Sequence, residues 1–337
     1  MKEVGLRAVV VGSRDQQRAA AWAAERGIPR GVGSYGAVLE DVEATAIYIP
    51  LPTSFHSEYS CKAAAVSKHV LCEKPAACSV AQAQEMIAAC RLNQVVLMDG
   101  VAFMVSCRAV RSQPPQHSLR YDAVRARMKS ENFGTLQTCD VHLSFPASER
   151  NPKFWDADGG DIRANPELEP LGAVGDLGWY TVRAALWAFD FVWPVAVEAT
   201  VSKWHRETVP VTMSATLHFQ DGRRATFRAS FDETRSQRFV IAGTAATITL
   251  EEFVSGRDDT FLVKTEGSSE PQRVTAEKGD QRGRMLAKFA ELCGQPVDDK
   301  RDFWMFVLLQ TQVVVDACMA SAHAAGRKTD ISPLTLQ

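Results

Sequence analysis

A parallel α/β half followed by an α+β half is the architecture the sequence predicts, and three observations lead there. Over the first hundred residues, apolar runs alternate with amphipathic stretches of 10–14 residues, the pattern of βαβ units in a parallel sheet. Beyond about residue 115 strand-like segments follow one another without helices between them, which implies antiparallel pairing. The chain is 337 residues long, 46% hydrophobic and 23% charged, enough for two domains with cores of their own.

Each element has its own signal. Residues 6–13 (LRAVVVGS) are a continuous apolar run ending at Gly12, as a strand buried on both faces should read. Residues 14–27 are Ala-rich and amphipathic, with Gly27 as C-cap. A second strand, 45–52, is stopped by Pro50 and Pro52; a helix over 57–68 leads into a third strand, 69–72. Ser79 caps a helix over 79–91 and Gln82 completes a capping box, and 94–100 form a fourth strand. A helix over 120–130, a strand over 135–145 and a helix over 176–189 come next. Strands at 195–204, 211–220, 224–231, 238–243 and 246–252 then follow, with a hairpin turn at 220–223. A helical stretch, 302–326, closes the chain. The expected domains are residues 1–105 and 106–337.

Composition excludes several classes of function. A net charge of −2 and a pI near 6.4 provide no field for nucleic acid or anionic membrane. No run approaches the roughly 20 apolar residues of a membrane span, and the first 15 residues do not read as a signal peptide. The eight cysteines form neither CxxC pairs nor clusters at metal spacing, so reduced thiols in a cytoplasmic protein are expected, with no metal.

Chemistry concentrates where strands end. In doubly wound sheets ligands bind at the carboxyl edge, and three strands here end in GSRD (12–15), PLPTSFH (50–56) and EKP (73–75). Lys74 is the sharpest feature, since a charged amine at a buried strand end is costly unless paired or employed. The structural alternative is a lysine that snorkels to water beside Glu73. Pro75 favours employment, because it fixes the chain direction beneath the lysine. Residues 31–36 fit G-x-G-x-x-G by letter, but they follow a helix without a preceding apolar strand, so they are not read as a phosphate loop.

The stretch IYIPLPTSFHSEYSCKAAAVSKHVLCEKPAA resembles the Gfo/Idh/MocA family of nicotinamide-dependent oxidoreductases, whose signature is this Glu-Lys-Pro. The match continues through GSRD, GSYGAVLEDVEATAIYIPLP, LMDG and DIRANPELEPLGAVGDLGWYTVRAALWA, over roughly residues 7–325. The resemblance implies a Rossmann-like doubly wound domain followed by a large open antiparallel sheet. Asp176-Leu-Gly-Trp-Tyr180 is similar to the branch that carries tyrosine instead of histidine, to which glucose–fructose oxidoreductase and dimeric dihydrodiol dehydrogenase belong.

The resemblance implies an oxidoreductase acting on a sugar, polyol or trans-dihydrodiol, with Lys74, Tyr180 and Asp176 catalytic. Asp176 and Tyr180 are four apart, on one helix face, although a helix cap and a core aromatic are the bland readings. A lysine within ~4–6 Å of a phenol lowers its pKa by ~1–3 units, so Lys74 is expected to tune Tyr180 as acid and base. Ser13 and Arg14 follow the first strand, where arginine accommodates a 2′-phosphate; NADP is expected, with NAD possible. Pro50, Leu51, Thr53, His56, Glu73, Lys74 and Pro75 are placed along the cofactor, and Arg163 beside the substrate. His56 also suits a capping or packing role.

One departure stands out. Relatives begin with an earlier strand and a glycine-rich turn, and neither is recognisable here; the chain reads as starting at the second strand. The 7–12 segment is therefore expected to pair with 45–50 or to lie unpaired. Either the sequence begins inside a longer enzyme, or it is a short form whose cofactor binding is weak. The alternative reading is a non-catalytic or regulatory member. A homodimer through the open face of the second sheet is implied by the family, against a simply solvated face.

Overall fold

The computed structural model describes residues 5–103, 119–156, 159–255, 259–295 and 299–336. The expected boundary near residue 105 and Cys107 lie outside these residues.

The first half begins with β1 (Val10–Gly12) and α1 (Gln16–Arg26). Asp15 caps α1, accepting from the backbone of Gln17 and Arg18, and Gly27 closes it in the left-handed region at φ 63°. Then come β2 (Arg30–Val32) and α2 (Tyr35–Glu40), which sequence reasoning missed. β2 is three residues long with glycine at its centre, so it has no hydrophobic run to read. Gly31 is required there: a Cβ would stand 2.4 Å from the Ala19 carbonyl oxygen of α1. The Arg30 side chain is tied by bonds of 2.7 and 2.9 Å to the Asp41 carboxylate just past α2.

β3 (Ala46–Ile49), α3 (His56–Ala65), β4 (His69–Cys72), α4 (Val80–Leu92) and β5 (Leu97–Asp99) follow where expected. Ser79 caps α4, while the Gln82 side chain reaches the Cys78 N–H at 3.0 Å rather than that of Ser79, a capping box displaced by one residue. All pairings here are parallel: β1 with β2, β3 with β4, and β4 with β5. The parallel sheet is therefore in two pieces, and β1 pairs with the unforeseen β2 instead of with β3.

The second half is built around nine strands. After α5 (Leu119–Met128) come β6 (Leu136–Ser144), the short α6 (Ala147–Arg150) and α7 (Trp179–Ala188). The strands β7 (Ala196–His205), β8 (Val209–His218), β9 (Arg224–Ser230), β10 (Ser236–Gly243) and β11 (Ala246–Glu251) match the sequence reading to within a few residues. β12 (Thr260–Thr265), β13 (Gln272–Thr275) and α8 (Gln281–Cys293) add elements not foreseen; α9 (Asp299–His323) was expected, and β14 (Thr329–Asp330) is the last strand among the described residues.

The order is β13-β12-β11-β10-β6-β9-β8-β7-β14. One pair departs from the antiparallel expectation: β6 and β9 run parallel, because β6 enters the sheet from α5 rather than through a hairpin. Inward residues such as Val141, Phe227, Met213 and Phe239 are fully buried, while their neighbours Asp140, Thr226, Arg228 and His218 face the open side.

α9 corrects one composition-based expectation. Residues Asp302–His323 are long and apolar enough to cross a membrane. Here the helix is core: Val307, Leu308, Val314 and Val315 are fully buried. Its polar residues are buried too, Thr311 bonding to Arg183 at 2.7 Å and Gln310 to the Phe191 carbonyl at 2.8 Å.

Candidate active site

Lys74 leaves the carboxyl end of β4 after a turn anchored by Glu73, and its peptide bond to Pro75 is cis. Facing it is a π-helical turn, Val174–Gly178, that runs directly into α7. This turn packs against Pro75 because residue 175 is glycine: a Cβ there would be 3.2 Å from the Pro75 ring and 2.7 Å from Leu171 Cβ.

Across this contact the Lys74 ammonium donates to the Asp176 carboxylate and, at 2.9 Å, to the Asp176 carbonyl. It also lies 4.8 Å from the centre of the Tyr180 ring. Arg163, from the loop before the π turn, donates through Nε to the other Asp176 oxygen at 2.9 Å and through its terminal nitrogen to Asp161 at 3.1 Å. Lys74, Asp176, Tyr180 and Arg163, up to 106 residues apart in the chain, thus form one partly buried cluster.

Its electrostatics differ from the sequence expectation in one respect. Burial pushes the Tyr180 phenol above its ordinary value, and the Lys74 charge offsets this only in part. The lysine's closest partner is Asp176, which neutralises much of its field, so Tyr180 is a protonated phenol near neutral pH. Burial disfavours both charges of the Lys74–Asp176 pair. Mutual attraction outweighs it: Lys74 is held above and Asp176 below their ordinary ranges, Arg163 assisting the latter.

The remaining expected residues divide into two groups. Pro50 and Leu51 follow β3 and Glu73 follows β4, at the same carboxyl edge. The Glu73 carboxylate accepts from the Tyr48 hydroxyl at 2.6 Å. Ser13 and Arg14 stand at the end of β1; Arg14 is exposed, and the neighbouring Asp15 carboxylate is engaged in capping α1.

Thr53 and His56 bond to groups within the protein. Thr53 is buried, its N–H and hydroxyl donating to Glu169 at 3.0 and 2.5 Å. His56 is buried with Nδ1 2.8 Å from the Pro75 carbonyl and Nε2 2.7 Å from that of Leu51. It ties the 50–52 loop to the turn beneath Lys74. Residues 31–36 follow α1 with no apolar strand before them: Gly31 lies within β2 and serves α1 packing, and Ser34 caps the six-residue α2.

Sequence reasoning missed a buried connection behind the site. Asp99, at the carboxyl end of β5, accepts from Trp179 Nε1 at 2.9 Å and from two Arg183 nitrogens at 3.2 and 2.6 Å. Both charged side chains are at most 1% exposed. The signal was available in LMDG, a carboxylate ending an apolar strand, but its partner lies 84 residues away.

Comparison with known proteins accords with this arrangement. Residues 2–101 match the profile of an oxidoreductase family with an NAD-binding Rossmann fold, and 121–249 match that of its C-terminal domain. An oxidoreductase of uncharacterised activity from Rhizobium meliloti is 30% identical over 81% of this chain and 75% of its own length. The chain belongs to the GFO/IDH/MocA family.

Within this family, a Haloferax volcanii protein named D-xylose 1-dehydrogenase (NADP(+)) 2 is 34% identical over 70% of the chain and 66% of its own length, just under two thirds. A Xenopus tropicalis trans-1,2-dihydrobenzene-1,2-diol dehydrogenase is 27% identical over 71% of the chain and 66% of its length. The fold is shared with a 3-ketoreductase from Actinomadura kijaniata solved with NADP and TDP-benzene, at a TM-score of 0.77 and 22% identity over 93% of this chain and 89% of that one. Among the described residues no cluster of His, Cys, Asp and Glu is arranged to hold a metal.

Proposed function

We propose that the protein is an NADP-dependent oxidoreductase that moves a hydride between the cofactor and a hydroxyl-bearing carbon of a sugar, polyol or trans-dihydrodiol. The observation that carries this reading is the convergence of Lys74, Asp176 and Tyr180 at the carboxyl edge of β4, where a doubly wound sheet presents ligands. The relatives named for xylose and dihydrodiol oxidation support the substrate class.

The donor set suits the cofactor. Exposed Arg14, with Ser13, would meet a 2′-phosphate; the 50–52 loop and Glu73 would flank the nucleotide; Lys74 would stand beside the nicotinamide. When bound, the nicotinamide supplies or accepts the hydride. Tyr180, protonated near neutral pH, donates its proton to the developing alkoxide during reduction and takes it back during oxidation. Lys74, beside the ring, stabilises the phenolate that this leaves, and Asp176 with Arg163 holds Lys74 in place. A homodimer through the open face of the nine-stranded sheet and a cytoplasmic location belong to the same proposal.

The test is NADPH fluorescence titration followed by a screen of sugar and diol oxidation. The reading expects saturable NADPH binding, weaker NADH binding, and turnover that Tyr180→Phe lowers ~10²–10⁴-fold. Absence of binding to either nucleotide would favour the regulatory alternative.

A further inference from the structure

We propose that a cavity at the far end of α7 from Tyr180 is a binding site for a small organic carboxylate with an apolar body. The two ends of α7 are ~15 Å apart at 1.5 Å per residue, so this pocket is separate from the crevice at Lys74.

The cavity has a volume near 190 Å³. Met128, Phe133, Leu136 and Phe189 supply an apolar floor, and Arg125, Lys129 and Arg223 stand around it. Asp190, in the left-handed region at φ 52°, stands in the wall just past α7.

The two guanidinium groups are already positioned. Arg125 lies over the Trp187 ring at 4.1 Å from its centre and donates to the Trp187 carbonyl at 2.6 Å. Arg223 lies 4.9 Å from the centre of Phe189, which is itself stacked on Phe219 at 4.0 Å. Side-chain motion at these two groups is therefore largely spent before any ligand arrives.

Charge balance favours an anion. Arg125 pairs with Asp190 at 3.0 Å and Arg223 with Asp221 at 2.7 Å. In both pairs the carboxylate is the more exposed partner, 54% against 19% and 53% against 26%; Asp190 lines the cavity beside its cation, whereas Asp221 does not. Lys129 makes no ion pair among the described residues, leaving an excess of one positive charge at the rim. An inorganic anion would satisfy the rim but leave the floor wet; an uncharged hydrocarbon would do the reverse. A single carboxylate on a flat apolar body uses both.

Benzoate is the probe, with acetate supplying the charge alone and benzyl alcohol the body alone. Titration of the full chain, followed by calorimetry and by thermal shift at constant ionic strength, should give a dissociation constant on the order of 1 mM for benzoate. Acetate and benzyl alcohol should each bind about tenfold more weakly. Lys129→Ala and Arg223→Ala should each weaken benzoate about tenfold. Val192→Trp, which fills the pocket mouth from a half-exposed position, should abolish binding while leaving the charges in place. Lys74→Ala should leave benzoate binding unchanged, which separates this pocket from the crevice. No benzoate binding at ~20 mM, equal binding by Val192→Trp, or loss confined to Lys74→Ala would each overturn the proposal.

Discussion

Asp176 decides what Lys74 can do. Its carboxylate takes the ammonium on one oxygen and Arg163 on the other, so all three side chains are held by a single group. Asp176→Asn should leave two partly buried cations without their counter-charge and cost ~3–5 kcal/mol in denaturant unfolding. Tyr180→Phe removes only an oxygen and should retain the wild-type melting temperature, while kcat falls ~10²–10⁴-fold in steady-state assays. Arg14→Ala should raise KM for NADP and leave KM for NAD unchanged, because only the former carries the 2′-phosphate. Lys74 was legible as a residue of interest from Glu-Lys-Pro alone. That its immediate partner is a carboxylate rather than the phenol was not, since the pair is 102 residues apart.

At the level of elements, α7 is the member that must be held still. It carries Tyr180 at its start, receives Asp176 from the π turn, and is fastened to β5 and α9 through Arg183, Asp99 and Thr311. Arg183→Met leaves Asp99 buried and unpaired, and ~3–5 kcal/mol of stability should be lost in urea titrations. Substituting Asp99 by Asn in the same molecule should recover part of that loss, as the stranded charge is then removed. The elements legible beforehand were those with long periodic or apolar signals: α1, α4, β4 and the strands β7 to β11. Besides the thirteen-residue α8, the ones missed, β2, α2, α6, β12, β13 and β14, are two to six residues long and owe their form to neighbours. Their own sequences hold too few side chains to display a period.

For the whole molecule, pH reports the coupling between the halves. Asp176 has a folded pKa below its ordinary 3.8, so its stabilising contribution is full above that value and is lost as pH falls through the folded one. Lys74 has a folded pKa above 10.5, so its contribution is complete below that value and disappears as pH rises through the folded one. Stability measured by thermal unfolding should therefore hold a plateau through neutral pH and decline at both extremes, and Asp176→Asn should flatten both declines. The open sheet face carries its own polar network: Arg228 and His142 both meet Glu233, and Thr226 bonds to Asp140 at 2.5 Å. If this face joins two copies, sedimentation should give a dimer that Arg228→Glu converts to monomer; a monomer at all concentrations would show a solvated face.

What the sequence by itself determined is the order of the elements, the division into a parallel and a largely antiparallel half, and the placing of a lysine at a strand end. These follow from periodicity, caps and strand-terminating residues, which act over a few neighbours. Only the tertiary structure decided the rest: β1 against β2, β6 parallel to β9, α9 as core, and the Lys74–Asp176 and Asp99–Arg183 pairs. Each joins segments distant in the chain. A buried charge shows only that some partner is needed, and packing selects which one.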